Sequence, residues 1–177
     1  KMAPAASQAA GALTTLAGPV LVAGIAFHLL GGILDDYLGY EKKRKKAIEE
    51  GNITEAEKAS SNQSAQKSAT KLSYGLIAGG AALGQILLPI PGLGAAIGAA
   101  TGLVAGFALK IGLATGLIDP DWFNNVMHAA GMGESAAMIK QRAKVATMEV
   151  STGKALVKAG EASAKALERV RAGAITA

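Results

Sequence analysis

Between Met2 and Leu34, and again between Leu72 and Leu109, the chain carries no Lys, Arg, Asp or Glu. A bilayer span takes about 20 apolar residues, so both runs are long enough to cross one. A water-soluble chain of this size has too few amphipathic helices to cover both runs. They must be covered by lipid or by copies of the same chain. The first run centres on Gly11 to Leu34 and holds Pro19, which removes a backbone hydrogen bond and predicts a kink or the first turn of a helix. The second is interrupted by Pro89-Ile90-Pro91-Gly92. Pro89, Pro91 and Gly92 impose extended and turn conformations, so this run reads as two helices, about 73–88 and 93–118, folded into an apolar hairpin.

Polar segments separate and follow these runs. Asp35 and Asp36 close the first, and then come Lys42, Lys43, Arg44, Lys45 and Lys46 within a charged helical pattern. Such a run is either a solvated helix face or a contact with anionic lipid headgroups, at about 1 kcal/mol per basic residue. Gly51-Asn52 predicts a helix end, and Thr54 with Glu57 reads as a capping box opening the next helix. Asp119 as N-cap and Pro120 at the first position predict a short helix through Trp122, Phe123 and Met127. Trp122 is placed either as an interfacial aromatic at a membrane surface or as packing on a bundle end. His28, on the first apolar run, reads as a satisfied core or interface histidine. The chain therefore divides into a first apolar helical segment 1–38, a polar helical hairpin 39–72 and the Pro-broken apolar hairpin 73–118. A short helix and joint, 119–133, leads to a long Ala/Lys/Glu helix, 134–177.

In that last helix Val145, Leu156 and Leu167 recur at intervals of eleven, as do Met148, Ala159 and Val170. An eleven-residue repeat belongs to a nearly straight or slightly right-handed coil. Gly153 and Gly160 each weaken an isolated helix by about 1 kcal/mol relative to Ala, which calls for a partner helix. The sharpest pattern is Gly94, Gly98, Gly102 and Gly106, four glycines at four-residue spacing that line one helix face and leave backbone exposed for close approach. Gly75/Gly79, Gly80/Gly84 and Gly112/Gly116 repeat the interval. The fold class expected is all-α, with extended helices and apolar hairpins assembled as an oligomer.

Half of the residues are hydrophobic but only 4% are aromatic, and the apolar mass is small or aliphatic, which suits close helix contact rather than a large pocket. The absence of cysteine excludes a disulfide framework, a thiolate metal site and a Cys nucleophile. A net charge of +5 is commonly a matter of solubility and gives nucleic-acid readout no specific support. The adjacent acids Asp35/Asp36 and Asp119/Asp121 read as helix-end residues without a His or basic partner, and no glycine cluster is followed by Lys-Ser or Lys-Thr as in a phosphate loop. No catalytic residues, metal ligands or cofactors are expected. The apolar region after Lys1 and Met2 is too long for a secretory h-region and lacks several basic residues before it. Lys1 at the start fits an excised fragment.

The sequence Ile90-Pro91-Gly92-Leu93-Gly94-Ala95-Ala96-Ile97-Gly98-Ala99-Ala100, set between long Ala/Lys/Glu helices, resembles the hydrophobic region of bacteriophage tail tape measure proteins, over about residues 72–177. The resemblance implies several copies, three or six, running as extended helices within the tail tube beside tube or baseplate proteins. On infection the apolar segments would leave the virion tail and enter the host envelope, assisting DNA ejection and touching DNA only indirectly. A pore-forming toxin or secretion translocator with a hydrophobic hairpin is the first alternative. An integral scaffold of a bacterial membrane, with residues 42–46 facing the cytoplasm, is the second.

Overall fold

A computed structural model describes residues 3–88, 90 and 92–175, and within them the side-chain surroundings of 17–172. Every element among the described residues is an α-helix: α1 (Ala3–Leu38), α2 (Tyr40–Glu50), α3 (Ile53–Leu87), α4 (Leu93–Thr115), α5 (Pro120–Ala129) and α6 (Ala136–Ile175). The molecule is all-α, as its composition requires.

Local chemistry sets most of the boundaries. Gly51 ends α2 in the left-handed region, φ 74°, and its N–H donates to the carbonyls of Ala47 and Ile48. Only a residue without a Cβ takes that conformation at little cost. The next helix is capped by Asn52, whose side chain accepts from the Glu55 N–H at 3.2 Å. The expected capping box at Thr54 and Glu57 is therefore corrected: the cap lies two residues earlier, because Asn52 already satisfies an orphan N–H. Asp119 caps α5 as anticipated, accepting from Trp122 N–H at 2.7 Å with Pro120 at the first position. Pro19 lies inside α1 without ending it. α4 stops at Thr115, three residues short of the expected 118, where Gly116 turns the chain.

One helix organises the rest. α3 runs unbroken through the 72/73 boundary, so the polar segment and the apolar hairpin share a continuous rod instead of meeting at a joint. Its second half packs against α4 and α1 around Phe27, Ile77, Ala81, Ala95 and Ala99. Its first half gathers α2, α5 and the start of α6 around two further clusters. These are Ala65, Ala69, Leu113, Phe123 and Met127, and then Ala47, Ala56 and Ala143. Alanine supplies three of the five buried residues in the first cluster and all three in the last, which keeps those helices close, whereas Leu113, Phe123 and Met127 fill the middle one. α6 then departs: residues 151–172 are all exposed. At about 1.5 Å per residue the 40-residue helix is about 60 Å long, and its second half touches little of its own chain.

Candidate functional site

The glycine row of α4 meets α3 in an antiparallel register that can be read residue by residue. Gly94 lies against the carbonyl of Gly84, Gly98 against that of Gly80 and Gly102 against that of Leu76, while Gly106 faces the Ser73 side chain. All four α4 glycines are buried. A Cβ built on Gly98 or Gly102 would fall inside the facing carbonyl, closer than any real side-chain contact. Backbone therefore packs on backbone, an arrangement held by dispersion and weak Cα–H to carbonyl contacts. Of the flanking glycine pairs only Gly80/Gly84 joins this interface. Gly75 and Gly79 face open space, Gly112 packs under Ile118, and Gly116 serves as a turn. Pro89 and Pro91, assigned to the hairpin break, lie outside the described residues, whereas Gly92 precedes α4 with φ 80°.

Four residues after Gly106 the row ends in Lys110, the one charge between Lys71 and Asp119. Its side chain is fully buried, and its Nζ lies 2.9 Å and 3.1 Å from the two carboxylate oxygens of Asp35 on α1. The Gly31 carbonyl is 3.5 Å away and the Phe27 ring centroid 5.7 Å. Gly31 makes room for the ammonium: a Cβ there would meet Nζ at 3.3 Å. The Lys110 carbonyl also accepts from Gln66 Nε2 at 3.1 Å. Reading Asp35 as a helix-end acid without a basic partner is corrected here. It neutralises a charge that would otherwise be stranded in a dry interior, and it does so within the last turn of α1. The signal in the sequence was the isolation of Lys110 itself, at i+4 from the last glycine of the row. Phe27 completes the joint, in contact with Tyr74 (5.5 Å between centroids) and Phe107 (5.1 Å).

The outside of this three-helix unit inverts the usual order. Glycine and alanine line most of the inside around Phe27 and Ile77, whereas Leu21, Val22, Leu29, Ile33, Ile86 and Leu87 are 62–77% exposed. The apolar window of α1 is only 11% buried and that of α4 33%, although both are long and apolar enough to cross a membrane. A core helix of a water-soluble protein would be mostly covered. Each such side chain forgoes about 1–2 kcal/mol of burial, so six left in water approach the whole stability of an ordinary domain. His28 belongs to this exposed surface, with Nδ1 3.4 Å from the Tyr74 hydroxyl, which corrects the core half of its core-or-interface reading.

Lys42, Lys43, Lys45 and Lys46 are exposed on α2, just beyond the end of α1, and Arg44 is half-buried. Lys45 pairs with Glu41 at 2.8 Å and Lys46 with Glu50 at 3.7 Å, exposed contacts worth little on their own. Trp122 is 60% exposed and so does not pack on the bundle end.

At the polar end Asp121 accepts from the Ser61 hydroxyl and pairs with Lys140, tying α3, α5 and α6 together. Burial pushes the Asp121 carboxyl up, but hydrogen bonds from Lys140 and Ser61 and the Lys140 charge outweigh it and hold the group below its usual range. The hydrogen bond to Asp121 holds Lys140 above its own. The buried Asn124 amide donates to the Ser61 carbonyl and hydroxyl, each at 3.1 Å. Ser61, Asp121 and Lys140 border an open cleft between α3, the α4–α5 turn and α6, lined also by Glu57, Lys58 and Asp119. No nucleophile with a general base emerges from it, and among the described residues no group of three His, Asp or Glu is gathered as a metal site would need. Neither family models, nor curated proteins, nor solved structures match the chain.

Proposed function

We propose that this chain is a non-enzymatic segment of a phage tail tape measure protein, carried in the tail tube in several copies and delivered into the host envelope, where its apolar helices help DNA pass. The observation that carries the membrane half of the reading is the packing of α1, α3 and α4, with glycine, alanine and a buried, neutralised Lys110 set around Phe27 and Ile77 inside, and many large aliphatic side chains outside. Lipid is the solvent in which that distribution costs nothing. The tail half is supported by the coupling of this hairpin to α6, a long helix whose second half touches little of its own chain. Partners on this reading are further copies of the chain, three or six of them, tube or baseplate proteins, and the bilayer on ejection.

A pore-forming toxin or translocator would store its hairpin in water beneath amphipathic helices. The helix that covers this hairpin, α1, is itself apolar, which favours the first reading. A constitutive membrane scaffold draws support from the exposed lysines of α2 directly after an apolar helix. Flotation of the purified full chain with vesicles of phosphatidylethanolamine and phosphatidylglycerol tests insertion. The expected result is salt-resistant recovery with the vesicles, and quantitative recovery as a soluble monomer overturns it. Counting chains along the axis of an assembled tail separates the readings: three or six copies support the tape measure role, and none in the particle contradicts it.

A further inference from the structure

α6 packs on its own chain through Ala136, Ile139, Ala143 and Thr147, all buried. At about 100° per residue, the eleven-residue series Val145, Met148, Leu156, Leu167 and Val170 lies on the opposite side of the same helix. Those five are 45–71% exposed. The stripe is thus free among the described residues even where the other face of α6 is covered.

We propose that this stripe is the seam along which copies of the chain associate, as parallel helices in a nearly straight coil. The inference rests on the reading of several copies and assigns the element and direction of their contact. Two observations select a second copy over lipid. The spacing repeats at eleven residues, which keeps a stripe facing another straight helix over many turns. Gly153 and Gly160 border the stripe on one edge, and a Cβ at either would meet nothing within 4 Å, so nothing in the chain itself explains their small size. A neighbouring helix does.

Charge gives the direction. Lys144 and Glu149 flank the stripe on opposite edges, five residues apart, the offset at which edge residues of parallel coiled helices meet as ion pairs. One repeat later the same edge positions are Ala155 and Gly160, small against small. A further repeat on they are Ala166 and Arg171, while Lys158, Glu161 and Lys165 lie toward the far side, clear of the contact.

The chain has no cysteine, so single introduced thiols report contacts without background. In the full chain held in detergent, Val145→Cys and Val170→Cys are each expected to form a disulfide with the same position of a neighbour on mild oxidation. Lys165→Cys, on the far side, is expected to do so at least tenfold less. Adding Leu156→Glu should reduce the Val145→Cys product at least tenfold while leaving vesicle flotation as in the parent, which separates this seam from membrane insertion. A monomer by light scattering, equal linking at 145 and 165, or linking only in mixtures of the Val145→Cys and Val170→Cys chains overturns the proposal. Protection of the stripe by vesicles alone, with no linked product, overturns it in favour of a lipid-facing helix.

Discussion

Two residue types carry the hairpin, and they fail differently. Replacing Gly98 or Gly102 by Leu puts a side chain where a carbonyl stands, so α3 and α4 must separate. The expected loss is about 3 kcal/mol or more, with helix content kept. Gly79→Leu, at an open position next to Gly80 in sequence but off the contact face, should cost less than about 1 kcal/mol. Thermal unfolding in detergent checks the contrast, and equal losses at positions 79 and 98 contradict the register. Lys110 and Asp35 should also be unequal. Asp35→Asn leaves a fully buried ammonium without its counter-charge and should cost about 2–3 kcal/mol. Lys110→Met frees a half-exposed carboxylate that water can solvate, and should fall within about 1 kcal/mol of the parent. The reverse order would mean that the burial of Lys110 is misassigned. The glycine row was legible because a four-residue interval maps directly onto a helix face. Its ion pair was not, since 75 residues separate the partners and neither position predicts the other.

At the scale of elements, helix ends were the most legible features. Gly51, Asp119 with Pro120, and the Gly131 joint act locally, and local chemistry needs no knowledge of the fold. Where tertiary packing decides, sequence reading stopped short. The 72/73 boundary was drawn at a change in polarity, but α3 has no breaker there and remains one helix while its surroundings change from polar to apolar. The α5–α6 junction depends on pH with a definite sign. The Asp121 carboxyl is held below its usual value near 3.8, so its contribution is present above that value and fades as pH falls through the lower, folded one. Lys140, held high, stays charged throughout that range. Trp122, the single tryptophan, adjoins Asp121 and reports the junction by fluorescence. A transition below about pH 4 is expected in the parent. It should be absent in Asp121→Asn, and an unchanged titration in that variant would assign it to other carboxylates.

Across the whole molecule, the two uncharged runs prove to be one structure. α1 lies on the α3–α4 hairpin, joined by the Phe27 cluster and the Lys110–Asp35 pair, and presents its large side chains outward. The sequence showed that these runs needed cover. It did not show that they would cover each other mainly with small residues around Phe27 and Ile77 and leave most of their large ones exposed, since that depends on which faces meet. The central claim is that this outward face meets lipid, and spin labels at Leu21→Cys and Val104→Cys test it most directly. Both positions are more than 60% exposed in the chain alone. In vesicles, the account expects both labels to be accessible to oxygen and shielded from a water-soluble nickel chelate. Ready collision with the chelate at both positions would contradict it.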